Sequence, residues 1–236
     1  MIRFHLITLF RESCEPYLSA SIIGRARKNK KIAVSYQNPR DFVENKWGKV
    51  DERPYGGGPG MVMTALPVVQ AVAKAVKKTG RRKIAVWFSP SGKQFTNKDA
   101  DALTKYDDIV LVCGRYEGID ERAKRILKTL APSKTFAVGE AVLTGGEVPA
   151  LAIVDAVTRR IPGVLGKDES IEERRTASSQ VYTRPETIVW KGKKYSVPKV
   201  LLTGHHAKMD AWRSKRSKRK GHPVKSGLVA QRPVRI

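Results

Sequence analysis

The sequence predicts an α/β protein built around a mostly parallel sheet. Two observations lead to this prediction. Short apolar segments with the pattern of strands alternate with longer segments whose apolar residues recur at helical spacing. Glycine- and proline-rich stretches follow several of the strand segments, as expected where a buried strand ends in a loop. Strands that alternate with helices favour a parallel sheet, because each helix crosses over between two strands.

The N-terminal elements follow this pattern in order. Residues 2–10 alternate in polarity and are apolar enough for a strand, whereas residues 15–28 carry apolar side chains at roughly helical spacing. Residues 31–36 predict a second strand, which Asn38-Pro39 closes. A long loop is then expected over residues 44–60, where the apolar pattern is lost.

The middle of the chain continues the alternation. A helix is predicted over residues 64–78, with Thr64 as a suitable N-cap because its hydroxyl can accept from a free backbone N–H. Residues 83–88 are rich in β-formers and predict a strand, and a polar helix is expected near 97–105. Residues 109–112 are entirely apolar, which predicts a short buried strand.

The C-terminal half adds the last elements and then changes character. Residues 118–130 predict a helix, 135–138 a short strand, and 148–160 a helix that Glu147 and Pro149 open. Residues 167–181 are polar and charged without an apolar period, which predicts a linker. We therefore expect three parts: a sheet domain over residues 1–166, a linker over 167–181 and a small basic domain over 182–236. In that last domain an extended segment to about 203 should precede a helix near 205–216.

Charge is the strongest compositional signal. The 236 residues include 46 Lys and Arg against 22 Asp and Glu, a net charge of +24, and residues 191–236 alone hold 14 basic side chains and one acid. Such a field attracts polyanions, so nucleic acid or an anionic membrane surface would fit, whereas a merely soluble basic surface is the alternative. No apolar run reaches the length of a membrane span and no signal peptide is recognised. The chain has two cysteines, too few for a disulfide framework, so a reducing cytoplasm is expected.

Three glycine-rich segments follow successive predicted strands, after residues 88, 112 and 138. In open parallel sheets ligands bind at the carboxyl ends of the strands, and glycine lets the backbone approach a ligand closely. These segments could wrap a flat cofactor, although each glycine alone could equally serve a turn. Neither a dinucleotide-binding Gly-x-Gly-x-x-Gly nor a phosphate-binding P-loop is present, so those cofactor classes are disfavoured.

Two other segments carry polar chemistry. Arg53 precedes the glycine-rich stretch Tyr55–Gly60, which is either a phosphate contact or a flexible connector. His205 and His206 begin a predicted helix in the basic domain. No acid or cysteine is placed to complete a metal site with them, so helix capping or RNA contact is favoured and no metal site is predicted.

Several long motifs together resemble one family. They are Arg53–Met61 (RPYGGGPGM), Cys113–Arg122 (CGRYEGIDER), Leu143–Ala150 (LTGGEVPA), Arg159–Gly166 (RRIPGVLG), Tyr182–Glu186 (YTRPE), and Gly204-His205-His206 with Trp212-Arg213. In this order they resemble the bacterial tRNA (guanine-N1)-methyltransferase family TrmD, of the SPOUT class, over about residues 1–216. The resemblance implies methyl transfer from S-adenosylmethionine to N1 of the guanosine immediately 3′ of the anticodon, position 37 of tRNA.

The resemblance also implies a fold and an assembly. The SPOUT-type parallel sheet should end in a C-terminal trefoil knot, followed by a linker and a small, mostly helical C-terminal domain that holds tRNA. The family acts as a homodimer with its active site at the subunit interface, and its activity is linked to Mg²⁺. The expected partners are therefore tRNA and a second copy of the chain, and no membrane.

The cofactor pocket implied by the resemblance is the knot, at Phe88, Ser89, Pro90, Gly114, Tyr116, Glu117, Val138, Gly139, Glu140, Ala141, Val142, Leu143, Gly145, Gly146 and Pro149. The implied RNA-binding residues are Arg53, Tyr55, Gly56, Gly57, Gly58, Arg184, His205 and Arg213. The family aromatic expected near position 141 is replaced by Ala141.

The reaction needs a base for the N1 proton and a cation for the charge that develops towards O6 of guanine. By resemblance Arg159 is that cation. The family's catalytic aspartate falls at Arg174 in this chain, and an arginine cannot act as the base. The neighbouring Glu173 is the predicted replacement. A SPOUT methyltransferase for another RNA nucleotide and a non-catalytic RNA-binding protein remain as alternatives.

Overall fold

A computed structural model describes residues 1–77, 82–165 and 180–217, with the backbone alone for 214–217. The chain divides into two compact units, Met1–Asp168 and Glu169–Ile236. Among the described residues, no helix combines the length and the apolar composition needed to cross a bilayer.

The first unit contains seven strands and six α-helices in its described part. The strands are β1 (Ile2–Ile7), β2 (Ile32–Gln37), β3 (Asp51–Glu52), β4 (Val62–Met63), β5 (Lys83–Gln94), β6 (Asp108–Val112) and β7 (Ser133–Ala137). The helices are α1 (Glu15–Ser19), α2 (Ser21–Lys28), α3 (Ala65–Val76), α4 (Asn97–Leu103), α5 (Glu121–Leu127) and α6 (Glu147–Thr158).

Five strands form the central sheet in the order β2-β1-β6-β5-β7, and every neighbouring pair is parallel. The predicted α/β class with a parallel sheet is therefore confirmed. β6 is buried along its whole length, with alternate residues in two separate apolar clusters. Ile109 and Leu111 pack on the side of α6, and Val110 and Val112 on the side of α3. Burial on both faces is typical of parallel sheets covered by helices on each side.

β5 departs from its prediction in length. The strand was expected to end at residue 88, but it continues to Gln94 through Ser89-Pro90-Ser91-Gly92. The pairing with β7 is irregular there, since Phe88 and Lys93 both lie opposite Phe136. A Cβ on Gly92 would lie 2.7 Å from the carbonyl carbon of Phe136, so glycine permits this close approach. Proline and glycine predicted a loop because the partner strand is invisible in the sequence.

The predicted helix over residues 15–28 is also wrong as a single element. It is broken at Ala20, whose backbone is extended, and continues as α2. A side chain on Gly24 would collide with the backbone carbonyl of Ser19, so the glycine admits this tight junction. Thr64 does precede α3, but its hydroxyl donates to the carbonyl of Val50 at 3.1 Å rather than capping the helix.

The described part of the second unit contains a hairpin as well as a helix. β8 (Thr187–Trp190) pairs antiparallel with β9 (Lys193–Ser196), and α7 (His206–Ser217) follows a short 3-10 turn. Tyr182 contacts Trp212 of α7, with 6.2 Å between ring centroids. The extended segment expected to about residue 203 is thus largely a hairpin, which the prediction of a mostly helical domain did not include.

Candidate functional site

A cavity of about 290 Å³ opens at the carboxyl ends of β6 and β7 and beside the irregular part of β5, the strand that lies between them in the sheet. Parallel strands bring their carboxyl ends to one edge, so the segments that follow β6 and β7 meet there. They lie beside residues 88–90 of β5, where the pairing with β7 becomes irregular. The cavity is lined by residues 88–90 of β5, by residues 114–118 after β6, and by residues 136–139 and 141–146 at the end of β7 and after it. Pro149 of α6 completes the wall.

The structure brings together nearly all of the residues that the sequence assigned to a cofactor. Of that set only Glu140 does not line the cavity and is exposed instead. Arg115, Gly118, Phe136, Ala137 and Thr144 also line it but were not singled out. Arg115, Gly118 and Thr144 stand inside quoted motifs, so the signal was present for them, whereas Phe136 and Ala137 looked like ordinary strand residues.

Gly146 joins two walls of the cavity. Its backbone N–H donates to the carbonyl of Gly114 at 2.9 Å. A Cβ at this position would lie 2.6 Å from the Cα of Cys113 and 3.0 Å from the backbone nitrogen of Gly114. The contact is therefore backbone against backbone, and only glycine fits it. This packing sets the width of the cavity between the two segments.

A mostly buried polar network includes Arg115 of the cavity wall. Glu147 begins α6 and is almost fully buried; it accepts a hydrogen bond from the hydroxyl of Thr8 at 2.7 Å. Its other oxygen forms an ion pair with Arg115, with 2.9 Å between Nε and Oε2. The Arg115 guanidinium also stacks over the ring of Phe10, 4.5 Å from the centroid. The network ties the segment after β6 to the start of α6.

The two cysteines beside this network are structural. Both are free and buried. Burial, followed by the negative charge of Glu147, raises the pKa of Cys14 to about 11, and burial likewise raises the pKa of Cys113. Because the thiolate is the nucleophilic form, neither residue acts as a nucleophile near neutral pH.

The cavity segment after β6 is also joined to the glycine-rich loop. Tyr116, which has a positive φ of 57°, forms an isolated antiparallel bridge with Val62. The N–H of Glu117 donates to the carbonyl of Met61 at 3.0 Å, and the N–H of Met63 donates to the carbonyl of Gly118 at 2.9 Å. These bonds fix the end of the loop that contains Tyr55–Gly60 against the cavity rim.

The loop itself presents its residues to solvent. Tyr55 is 97% exposed, and Arg53 and the three glycines Gly56, Gly57 and Gly58 are exposed as well. The glycines have φ values of 85°, 78° and 116°, a left-handed region that other residues rarely adopt. The geometry leaves their backbone N–H groups and the Arg53 side chain available to a ligand outside the protein.

Arg159 does not lie at the cavity of its own chain. It is the C-terminal cap of α6, is half-buried, and is not among the lining residues. Ten residues separate it from Pro149, so the helical rise of about 1.5 Å per residue puts the two Cα atoms roughly 15 Å apart. Glu173, the predicted base, and Arg174 lie outside the described residues.

The predicted RNA-binding residues of the second unit are all on its surface. Arg184 is exposed, and its bond to Pro185 is cis. His205 precedes α7, where its carbonyl accepts from the N–H of Met209 at 3.0 Å. Arg213 lies one turn from Asp210 on α7 and forms an ion pair with it at 3.0 Å. Within the described part of the chain, no group of three or more His, Cys, Asp or Glu side chains could hold a metal ion.

Comparisons with known proteins point to one family over both units of the chain. A profile of the family described as tRNA (Guanine-1)-methyltransferase TrmD matches residues 2–231. A tRNA (guanine-N(1)-)-methyltransferase of Shewanella sediminis is 40% identical over 220 residues, which cover 92% of this chain and 88% of the relative. The enzyme of the same description from Lachnospira eligens is 41% identical over 218 residues, covering 91% and 89%. One from Buchnera aphidicola is 41% identical over 222 residues, covering 92% and 90%.

Proposed function

Because this chain belongs to the tRNA (guanine-1)-methyltransferase TrmD family, we propose that it transfers a methyl group from S-adenosylmethionine to N1 of the guanosine immediately 3′ of the anticodon, position 37 of tRNA. The observation that carries the proposal beyond family membership is the cavity at the ends of β6 and β7 and beside residues 88–90 of β5. It gathers residues from three separate motifs at the sheet edge where ligands bind.

The cavity suits the implied cofactor. Its volume is close to the lower end of the range for small-molecule sites, and its wall combines apolar Val138 and Leu143 with the backbone of glycine-rich segments. Free backbone N–H and C=O groups can satisfy the edge of an adenine ring, and the apolar side chains can flank its faces. S-adenosylmethionine, when bound, supplies an activated methyl group, and the cavity fixes the direction in which this group points.

The protein must then hold guanine in line with that methyl group and manage one proton. N1 of guanine is protonated at neutral pH, so we assign its removal to Glu173, the carboxylate next to the family's aspartate position. We assign Arg159 to the negative charge that spreads towards O6 as the proton leaves. Holding the reacting atoms close converts an encounter in solution into an oriented transfer.

We further propose that two copies of the chain complete the site. The support is the distance along α6, since Arg159 is roughly 15 Å from Pro149 of its own cavity. If the partner subunit supplies Arg159, the catalytic arginine can reach the cavity in spite of this distance. An exposed apolar residue at the cavity supports the same proposal: Val142 is 80% exposed, which suits burial in an interface.

The proposal also includes the knot and the domain boundaries. We assign residues 1–166 to a catalytic domain whose segment after β7 is threaded as a trefoil knot, supported by membership of the family. We assign residues 167–181 to a linker and 182–236 to a tRNA-binding domain, supported by its basic sequence. We also propose that the activity requires Mg²⁺ and that the protein binds tRNA in the cytoplasm.

The test is methyl transfer from labelled S-adenosylmethionine to a tRNA transcript that has guanosine at position 37, with the product mapped by nuclease digestion and mass spectrometry. We expect N1-methylguanosine at that position, and no product when it is adenosine. Product at another nucleotide would instead identify a different RNA specificity. Binding of tRNA without any binding of S-adenosylmethionine in calorimetry would identify a non-catalytic protein.

The base is tested in the same assay. Glu173→Gln removes the proton acceptor while keeping the shape of the side chain, so the rate of the chemical step should fall by about 100-fold or more. Glu172→Gln is the matched control, because it removes the same charge one residue away. Equal losses in the two variants would mean that the linker charge matters and that Glu173 has no special role. Repeating the wild-type assay with EDTA tests Mg²⁺.

A further inference from the structure

The hairpin formed by β8 and β9 in the second unit carries exposed aromatic and basic side chains that its backbone pairing does not require. β8 and β9 are joined by Lys191 and Gly192, both with positive φ, in a two-residue turn. The backbone ladder runs on past the strands, since the N–H of Val197 donates to the carbonyl of Glu186 at 2.9 Å. The register places Ile188 opposite Tyr195 and Trp190 opposite Lys193.

This register puts large side chains together on one face. Directly opposed residues of an antiparallel pair point to the same side, as do residues two apart along a strand. Ile188, Trp190, Lys193 and Tyr195 therefore share one face, called here the aromatic face. Trp190 is 65% exposed and Tyr195 51%. The Lys193 ammonium lies over the ring of Tyr195, 5.7 Å from its centroid.

The opposite face is smaller and more polar. It carries Thr187, Val189, Lys194 and Ser196, and the hydroxyls of Thr187 and Ser196 are 2.9 Å apart in a hydrogen bond. All four residues of β9 are exposed, as are three of the four in β8. Ile188, Trp190 and Tyr195 are each more than half exposed, so the large side chains of the aromatic face are not buried in a core within the described part of the chain.

Charge identifies the partner. Residues 180–217 contain nine Lys and Arg but only two acids, Glu186 and Asp210. Three of those lysines, Lys191, Lys193 and Lys194, stand in the hairpin itself. Cationic side chains interleaved with exposed aromatic rings are the combination that binds single-stranded nucleic acid, because the ammonium groups meet phosphates while the rings stack on bases. A protein partner for an apolar face would not call for this density of positive charge.

We propose that the aromatic face of the β8–β9 hairpin is a stacking surface for unpaired nucleotides of the substrate tRNA, with Trp190 and Tyr195 contacting bases and Lys193 the adjoining phosphate. The inference rests on the proposed function for the identity of the RNA. It adds a contact site outside the motifs that define the family resemblance. Stacking tolerates any base, so this surface contributes affinity for exposed loops of tRNA rather than selection of a sequence.

The test compares the two faces of the same hairpin. Trp190→Ala and Tyr195→Ala remove rings from the aromatic face, and Val189→Ala is the matched control because Val189 is 60% exposed on the opposite face. Trp190→Phe keeps a stacking ring. The dissociation constant for tRNA is measured by filter binding at several salt concentrations, together with kcat and the affinity for S-adenosylmethionine.

Loss of one stacked base weakens binding by about fivefold or more. We therefore expect Trp190→Ala to raise the dissociation constant for tRNA by that factor at every salt concentration, because stacking is not a counterion effect. Trp190→Phe should retain most of the affinity, and Val189→Ala all of it. The affinity for S-adenosylmethionine and kcat at saturating tRNA should stay at the wild-type values.

Equal affinities in Trp190→Ala, Tyr195→Ala and wild type would overturn the inference, and so would equal losses in Val189→Ala and Trp190→Ala. A change in sedimentation of Trp190→Ala with unchanged tRNA affinity would mean that a second copy covers the face, which also overturns it. The proposed function fails separately: a wild type that binds tRNA through Trp190 but forms no N1-methylguanosine at position 37 keeps the stacking surface and loses the activity.

Discussion

Arg115, which lines the cavity, forms an ion pair with Glu147 of α6, with 2.9 Å between Nε and Oε2. Glu147 is buried at the start of α6, whereas Arg115 belongs to the segment after β6. The pair therefore joins two cavity walls that are distant in sequence. Thr8 of the segment after β1 completes the network with its hydroxyl.

Removing Arg115 alone should be more damaging than removing the pair. Arg115→Met leaves the Glu147 carboxylate buried without its cation, and breaking a buried pair in this way costs about 3–5 kcal/mol of the free energy of unfolding. The double variant Arg115→Met/Glu147→Gln should recover much of that loss. Urea denaturation of wild type, both single variants and the double variant measures the coupling. Additive losses would show that the two side chains do not interact.

Gly146 should tolerate no side chain. In Gly146→Ala the new methyl would meet the Cα of Cys113 at 2.6 Å, so backbone must shift and the cavity must widen. We expect a loss of about 1–3 kcal/mol in stability and a marked loss of affinity for S-adenosylmethionine. Calorimetry and thermal unfolding measure the two effects.

Gly114→Ala is the matched control for Gly146→Ala. Its new methyl would meet only the end of the Ile119 side chain at 3.3 Å, and that side chain can give way. The loss of stability should be clearly smaller. If the two alanine variants were equally destabilised, the backbone contact of Gly146 would not be what sets the cavity width.

Arg159 of one subunit should act at the cavity of the other subunit. Arg159→Ala should lose most of its activity while binding S-adenosylmethionine as wild type does, because Arg159 lies roughly 15 Å from Pro149 of its own cavity. Ser89→Trp should fill the cavity and abolish cofactor binding, since Ser89 lines it. Each variant alone is then inactive for a different reason.

Mixed dimers of these two variants test where Arg159 acts. If each site combines one chain's cavity with the partner's Arg159, co-refolded mixtures regain one intact site in each mixed dimer, and labelled methyl transfer returns. If a site takes both parts from one chain, every site in the mixture carries a defect. Activity that stays at the level of the separate variants would therefore refute the shared site.

Glu15 should make the fold sensitive to acid. Burial alone would raise the pKa of Glu15, but the hydroxyls of Ser19, at 2.7 Å, and of Tyr36, together with the guanidinium of Arg27 at 2.8 Å, lower it to about 2. A depressed pKa in the folded state contributes stability above the unfolded value, near 4.3, which is lost as pH falls towards 2. The stability lost in Glu15→Gln should therefore be full at pH 7 and disappear over that window.

Urea unfolding at a series of pH values measures this difference, with Glu12→Gln as the control because Glu12 is exposed in the same region. Its effect should be small at every pH. A Glu15→Gln difference that stays constant from pH 7 to pH 2 would assign its effect to packing and exclude the ionised carboxylate.

The sequence predicted most of the central elements because their burial is encoded locally. β6 is an unbroken apolar run and β1 alternates, so both patterns survive without knowledge of the partners. The errors in the predicted elements lie where the structure of a segment depends on another segment that packs against it. β5 extends through proline and glycine because β7 pairs with it, and the helix after Cys14 breaks where Gly24 admits the Ser19 carbonyl.

The same distinction between local patterns and long-range contacts applies to the candidate site. Glycine-rich segments after predicted strands, and long motifs shared with one family, were sufficient to nominate the cavity residues and the reaction. Only the tertiary structure shows that Gly146 packs on Cys113, that Arg115 meets Glu147, and that Glu140 is exposed and does not line the cavity. Those relationships join positions far apart in the chain, and no local pattern records them.

The sequence by itself determined the parallel α/β class, the basic character and the family, because hydrophobic period, charge and motif order are properties of the chain. The tertiary structure alone decided which loops meet and that the start of α6, at Pro149, lies at the cavity. The physical reason is that contacts between distant segments depend on the path of the whole chain, whereas the spacing of Pro149 and Arg159 along one rigid helix is local.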